Sequence, residues 1–182
     1  MRRFILTGAP GAGKTAILRR LEADGCPVVE EAATDVIALR QAQGEAEPWR
    51  QASFIDDITI LQRHRQLRGR TEDSADAVQV FDRSPVCTYA LSRFLGRPVS
   101  AALADELARI AAQRIYETRV LFVDGLGFIT PTAARRITLE ESRRFERVHE
   151  EAYAAFGYEC VRIPRGELAA RVDAVKRAIG LI

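Results

Sequence analysis

Lysine is nearly absent from this sequence. Of 27 basic residues only Lys14 and Lys176 are lysines and the rest are arginine, so a lysine here raises the question of why arginine would not do. Cysteine is scarce: Cys26, Cys87 and Cys160 are odd in number and far apart, with no C-x-x-C pair and only two histidines. That fits reduced, mostly packed thiols better than a zinc site of Cys/His spacing. No apolar run approaches the roughly 18 residues of a membrane span. The opening MRRFILTGAPGAGKT holds too short an apolar run, broken by glycines and Lys14, for a secretory signal. A cytoplasmic protein without a membrane partner is expected. The net charge is only +2 and the arginines are spread among acids, so no nucleic-acid partner is expected.

The 47% hydrophobic and 29% charged residues exclude disordered and collagen-like chains. A chain of 182 residues is expected to form one domain over residues 1–182, as a monomer or homodimer. It can bury about 70% of its unfolded surface without a metal or disulfide staple.

Apolar strand-like and amphipathic helix-like segments alternate along the chain. Phe4–Thr7, Pro27–Glu30, Ala77–Phe81, Arg119–Val123 and Tyr158–Ile163 read as strands. Helices are predicted over Lys14–Ala23, Gln51–Leu67, Ser84–Leu95, from Ser100 through Ile110, from Thr138 to about Phe156, and along the Leu168, Val172, Val175, Ile179 stripe. Ser84-Pro85 and Ser100 have the chemistry of helix starts, and Thr138-Leu139-Glu140-Glu141 has capping-box spacing. Gln41–Trp49, with Gly44 and Pro48, reads as a loop. Near-continuous apolar strands between helices predict an α/β fold: a three-layer α/β/α sandwich around a five-stranded parallel sheet.

Gly8-Ala9-Pro10-Gly11-Ala12-Gly13-Lys14-Thr15 is a complete G-x-x-x-x-G-K-T between an apolar strand and an amphipathic helix. Glycines let the backbone curl so that successive N–H groups face phosphate oxygens. The helix that follows, beginning at Lys14-Thr15-Ala16, offers its positive dipole end to the same anion. Lys14 can reach the β- and γ-phosphates as a compact charge, and the Thr15 hydroxyl can take one position on Mg²⁺. The whole segment Gly8–Ala16 is thus the candidate site for a nucleoside triphosphate, with ATP and Mg²⁺ as cofactors.

Ligands of such sheets bind outside the carboxyl ends of the strands, and acidic residues fall there. Asp82 ends the third strand and is a candidate to hold Mg²⁺, directly or through water. The alternative is a helix-start charge or a salt bridge to Arg83. Glu30 and Glu31 end the second strand; one of them can be the base for a substrate hydroxyl, or both are solvated surface acids. Asp124 reads as a turn aspartate. Trp49, the single tryptophan, either walls an acceptor pocket or packs in the core. His64 reads as a solvated residue, and His149, in a charged helix, receives no role.

The motif set resembles a known family over nearly the whole chain. GAPGAGKT, the strand-end Glu30-Glu31-Ala32-Ala33, the Phe81-Asp82-Arg83-Ser84 step, and the stretch from Arg135-Arg136-Ile137-Thr138-Leu139-Glu140-Glu141 into Tyr153, Gly157-Tyr158 and Ile163-Pro164 are similar to AAA-ATPase-like phosphate-loop domains. These domains are grouped with the nicotinamide riboside kinase domain of NadR and, more distantly, with deoxynucleoside kinases. Ala33 stands where such relatives usually carry arginine. The resemblance implies a kinase-like phosphate-loop NTPase with strand order 2-3-1-4-5 and a Mg²⁺-dependent transfer of the γ-phosphate of ATP to a small hydroxylated, nucleoside- or nucleotide-like acceptor. In that scheme Lys14, Glu30, Asp82, Arg83, Arg135 and Arg136 are the catalytic candidates. Thr15 and Asp82 serve the metal, and Glu31, Trp49 and Arg83 meet the acceptor. Arg83 holds the acceptor or neutralises the transferring group. Arg135 and Arg136 lie on a lid-like segment at about 127–145, where an arginine fork can grip phosphate oxygens. The competing expectation is a regulatory ATPase, a nucleotide switch that binds a protein partner.

Overall fold

The computed structural model describes residues 1–68, 77–126 and 138–182. Five strands, β1 (Arg2–Thr7), β2 (Val28–Val29), β3 (Val78–Asp82), β4 (Arg119–Val123) and β5 (Glu159–Ile163), form one sheet in the order β2-β3-β1-β4-β5. Every pairing is parallel, with Leu6 opposite Asp82 on one side and Leu121 on the other. This is the α/β fold and the strand order that the sequence predicts.

The central strands are apolar at successive positions because both of their faces are covered. Ile5, Phe81 and Val120 face one core, with Ile58, Leu103, Leu107 and Tyr153. Phe4, Leu6, Val80, Leu121 and Val123 face the other, with Ile17, Leu21, Val172 and Val175. Helices α1 (Lys14–Ala23) and α7 (Leu168–Ile179) cover the second face. Helices α2 (Ala32–Ala42), α3 (Phe54–Arg68), α4 (Pro85–Phe94), α5 (Ala101–Ala112) and α6 (Leu139–Ala155) belong to the first.

Local chemistry starts these helices where the sequence suggests. The Ser84 hydroxyl accepts from the Val86 amide at 3.2 Å with Pro85 in the first turn. The Ser100 hydroxyl accepts from Leu103. Thr138 and Glu141 close a reciprocal capping box. One expectation is corrected. Residues 41–49 are not a plain loop: they begin with the last turn of α2 and end in a 3-10 turn at Pro48–Arg50. The polar-interrupted stripe of α2 buries only Ala32 and Val36 fully, so its periodicity is weak. Among the described residues no helix is long and apolar enough to cross a membrane.

Candidate functional site

β1 ends at Thr7 and the chain turns sharply through Gly8, whose φ of 135° already disfavours a side chain. A Cβ there would lie 2.3 Å from the Val123 carbonyl oxygen, so the loop crosses the end of β4 at backbone contact. At Gly13 (φ 80°) a Cβ would meet the Arg171 guanidinium at 2.8 Å. Arg171, buried on α7, donates to the Ala12 carbonyl at 2.6 Å and grips the loop from behind. No side chain caps the start of α1, which leaves that end to an anion.

Lys14 is buried, and its Nζ donates to the carbonyls of Gly8 and Ala9 at 3.1 Å each. Burial, and then the Arg83 charge, lowers its pKa to about 8, against the pull of Asp82 and Glu31. An anion placed over the loop would relieve this.

Arg83 follows β3 in the left-handed region (φ 69°), rare for a side chain of its size. Its amide still donates to the Leu6 carbonyl, so the guanidinium swings back over the strand ends. Its Nε lies 2.5 Å from a Glu31 carboxylate oxygen, and its Nη1 lies 3.2 Å from His149 Nε2. Burial works against the Arg83 charge, but Glu31, Cys87 and Asp82 more than restore it. Burial likewise opposes ionisation of Glu31, yet Arg83, Lys14 and the Thr34 hydroxyl hold its carboxyl below the ordinary value.

Asp82 is buried beside these charges. Burial pushes its pKa up to about 6, with Glu31 adding to the rise and Lys14 and Arg83 opposing it. Its Oδ1 is sealed from solvent and has no hydrogen-bond partner among the described residues. A buried, unpartnered carboxylate oxygen is costly by itself. Asp82 and Thr15 both line the cavity and carry hard oxygen donors of the kind Mg²⁺ takes alongside substrate phosphates. The residues present therefore fit the metal.

The two adjacent acids divide between the faces of the sheet. Val28 packs into the core beneath α1, and Val29 into the opposite one. Side chains alternate along a strand, so Glu30 follows Val28 and Glu31 follows Val29. Glu30 is exposed and pairs with Arg19 of α1, outside the cavity lining. Glu31 enters the cavity. Arg65 of α3 fixes this strand end by donating to the carbonyls of Glu30 (2.9 Å) and Glu31 (2.7 Å).

A single cavity of about 830 Å³ joins these groups. Pro10, Gly11, Gly13, Lys14, Thr15 and Ala16 line one half. Ala33, Ile37, Trp49, Phe54, Ile58, Gln62, Thr88, Leu91, Phe94 and Leu95 wall the other, with Glu31, Asp82 and Arg83 between. Trp49 both lines the cavity and packs against the core. Ser142, at the start of α6, donates to the Pro10 carbonyl, and Glu141 and Phe145 add to the lining. Residues 127–137 of the lid-like segment, with Arg135 and Arg136, lie outside the described residues. Asp124 lies outside the cavity lining, and its carboxylate accepts from Arg162 at 2.9 Å.

Sequence reasoning missed His149. It is fully buried and meets the Phe145 ring edge-on, with ring centroids 4.2 Å apart. Burial, and then Arg83, pushes its pKa down to about 3. Its Nδ1 lies 2.9 Å from the Phe145 carbonyl, which only accepts, so Nδ1 carries the proton and Nε2 accepts from Arg83. The signal was present: Ser142, Phe145, His149, Ala152 and Tyr153, all buried, form one helical stripe, and a histidine on that stripe faces inward. A second buried chain runs from Thr7 to Cys87 (3.1 Å), Tyr153 (3.0 Å) and Ser84 (2.9 Å). It ties the end of β1 to α4 and α6 beneath the site.

The architecture has counterparts among solved structures. The crystal structure of a NadR protein in complex with NAD and AMP-PNP superposes with a TM-score of 0.68 over 98% of this chain, at 18% sequence identity. The chain spans 49% of that protein's length, and at this identity the likeness shows a shared fold. No curated protein sequence matches the chain. A family model described as an AAA domain matches residues 3–171 of the 182, and with the phosphate loop, the sheet order and the strand-end acids in place, the chain belongs to that family of nucleotide-binding phosphate-loop NTPases.

Proposed function

We propose that the protein is a Mg²⁺-dependent kinase that transfers the γ-phosphate of ATP to a small hydroxylated acceptor. One observation carries this: the phosphate loop opens into a second, walled half of the same cavity, and Glu31, Asp82 and Arg83 stand at the junction. A nucleotide switch needs a surface for a partner there, whereas a transferase needs a walled place for an acceptor. The NadR structure, which holds AMP-PNP, supports the reading through its shared fold.

Phosphoryl transfer asks the protein mainly for position and charge neutralisation. In this reading the loop amides and Lys14 hold the β- and γ-phosphates, and Lys14 exchanges its two carbonyl partners for phosphate oxygens. Thr15 and Asp82 would hold Mg²⁺, which would supply charge neutralisation at the phosphate oxygens. Arg83, kept in place by Glu31 and His149, faces the transferring group. Glu31 is ionised and orients the acceptor hydroxyl. The acceptor oxygen forms a bond to the γ-phosphorus and the bond to the β,γ-bridging oxygen breaks. That electron pair leaves with ADP, and the hydroxyl proton passes to Glu31 and on to solvent. Arg135 and Arg136 remain proposed phosphate contacts of the lid-like segment.

The test is acceptor-dependent ADP release by the pure protein with Mg·ATP over a panel of small alcohols. ADP release accelerated by an acceptor, with phosphate recovered on that acceptor, supports the kinase. Hydrolysis that no alcohol in a broad panel accelerates, together with a protein partner retained only in one nucleotide state, would establish the switch instead.

A further inference from the structure

We infer that the acceptor half of the cavity selects an uncharged alcohol with an apolar, ring-bearing body and disfavours phosphorylated and cationic molecules of the same shape. The inference rests on the kinase reading and deepens it by naming the class of acceptor.

The wall carries the first part of the argument. Ile37, Trp49, Phe54, Leu91 and Phe94, with the small Ala33, present aliphatic and aromatic surface to this half. Gln62 and Thr88 are neutral polar groups on the same wall, joined by a hydrogen bond from the Thr88 hydroxyl to the Gln62 carbonyl oxygen at 2.9 Å. An apolar body gains by leaving water for such a wall, and an ion loses its hydration there without replacement.

The second part is the assignment of charge. Helices α2, α3 and α4 surround this half and carry several arginines, and none of those described is in the lining. Arg40 pairs with Asp57 at 2.6 Å and Glu45 at 3.1 Å. Arg63 turns to Glu106, and Arg65 to Asp35 and the β2 carbonyls. Arg93 lies over Tyr89 and 4.0 Å from Glu151. Among the described residues, Arg83 is the one guanidinium in the lining, and Glu31 neutralises it at 2.5 Å. A phosphate on the acceptor would therefore enter beside the triphosphate without a fork to receive it.

Asp82 is taken up by Mg²⁺ in this reading, and the other carboxylates of the lining are paired. Glu31 is held by Arg83 and Thr34. Glu47 pairs with Arg50 at 2.8 Å. Glu141 closes the capping box of α6. A cationic acceptor would have to break one of these pairs, or compete with Mg²⁺ for Asp82, to gain a counter-ion. A neutral molecule breaks none, and its hydroxyl can approach Glu31 as the wall takes up its ring.

Three probes with one ring isolate the charge: 2-phenylethanol, 2-phenylethyl phosphate and 2-phenylethylammonium. Each is titrated into the full chain with Mg²⁺ and a non-hydrolysable ATP analogue. Binding is read from the fluorescence of Trp49, the only tryptophan, and from saturation transfer to the probe's ring protons. The alcohol should bind at least tenfold tighter than either charged probe. Ala33→Arg, with analogue binding retained as evidence of an intact fold, should improve 2-phenylethyl phosphate at least tenfold relative to the alcohol. The inference is overturned if a charged probe matches or exceeds the alcohol in the unsubstituted protein, or if the alcohol gives no response although the analogue binds. Alcohol binding with the expected preference, but with no ADP release from ATP accelerated by any alcohol of the broad panel, supports the assigned selectivity and removes the kinase reading.

Discussion

Lys14→Met should yield a protein that is more stable without nucleotide yet unable to bind it. Burial, and then Arg83, lowers Lys14 from 10.5 to about 8. Near neutral pH the ammonium is still charged, so the fold holds a cation it disfavours. At about 1.4 kcal/mol per unit the cost is about 3 kcal/mol. Against it stand the two bonds from Nζ to the Gly8 and Ala9 carbonyls, each worth about 1 kcal/mol net. The methionine fills the same space, and Asp82, already raised to about 6, can take up a proton when its neighbour's charge is gone. A net gain of about 1 kcal/mol follows, or about 3 °C in Tm for a domain of this size.

The pH dependence makes the reasoning refutable. A lysine whose folded pKa lies below its unfolded one leaves the unfolded chain holding more protons between the two values. Stability therefore climbs from about pH 8 toward 10.5 in the parent protein. The variant lacks the group and lacks the climb. Urea unfolding without nucleotide, at about pH 7.5 and again at about pH 9.5, should show the variant ahead at the lower pH and the parent overtaking it at the higher. A variant less stable near neutrality, or a gap that does not change with pH, would refute the account of Lys14 as a strained cation waiting for an anion. Calorimetry supplies the converse. A triphosphate favours the charged lysine, so binding near pH 8 should take up protons, detected as a dependence of the heat on buffer ionisation.

Asp82→Asn should preserve the fold but abolish the Mg²⁺ dependence of ATP binding. In the parent that dependence should be strong above about pH 6 and fade below it as the carboxyl protonates; titrations at both pH values with and without Mg²⁺ check this, and an unchanged metal dependence in the variant would remove Asp82 from the metal site. Gly8→Ala places a methyl group 2.3 Å from the Val123 carbonyl and should cost about 2 kcal/mol or more; thermal unfolding and nucleotide titration should both fall, and a variant equal to the parent in both would contradict the loop geometry. His149→Leu leaves Arg83 without its imidazole acceptor, so turnover should fall about tenfold with the affinity for ATP unchanged, about 1.4 kcal/mol of transition-state stabilisation. His149→Gln should recover part of the loss through its amide oxygen. The pH–rate profile of the parent should show no histidine step near pH 6.5, because His149 is neutral there.

The parts of the fold that were legible in the sequence are those fixed by neighbouring residues. β4 and α1 fall at the expected residues, and Ser84, Ser100 and Thr138 cap the helices they were expected to start. A phosphate loop is a local device, since its glycines, lysine and hydroxyl are held by one turn. Helix α2 was not legible because Ala32 and Val36 are its only fully buried residues, so its apolar face is narrow and its loop-like end masks it. Arg83 was legible as a candidate, but its left-handed backbone was not, because nothing in Asp-Arg-Ser announces a positive φ. That conformation is imposed by β1 and β3, which hold the Arg83 amide on Leu6 while burial and Glu31 draw the guanidinium inward.

Glu30 and Glu31 show where sequence reading of a site stops. Both sit at a strand end, and alternation requires that they point to opposite faces, yet the pattern Val28-Val29 is apolar on both sides and assigns neither face to a helix layer. The assignment comes from long-range packing: α1 lies under Val28 and brings Arg19 to Glu30, whereas α2 and α3 lie over Val29 and bring Thr34 and Arg65 to Glu31. The same layer carries α6, whose His149 reaches Arg83, the partner of Glu31. The acid at the cavity, the arginine it holds and the histidine behind that arginine are thus one consequence of which helices cover which side of the sheet. A register slip of a single residue in β2 would exchange Glu31 for Glu30, leaving Arg83 buried without its carboxylate.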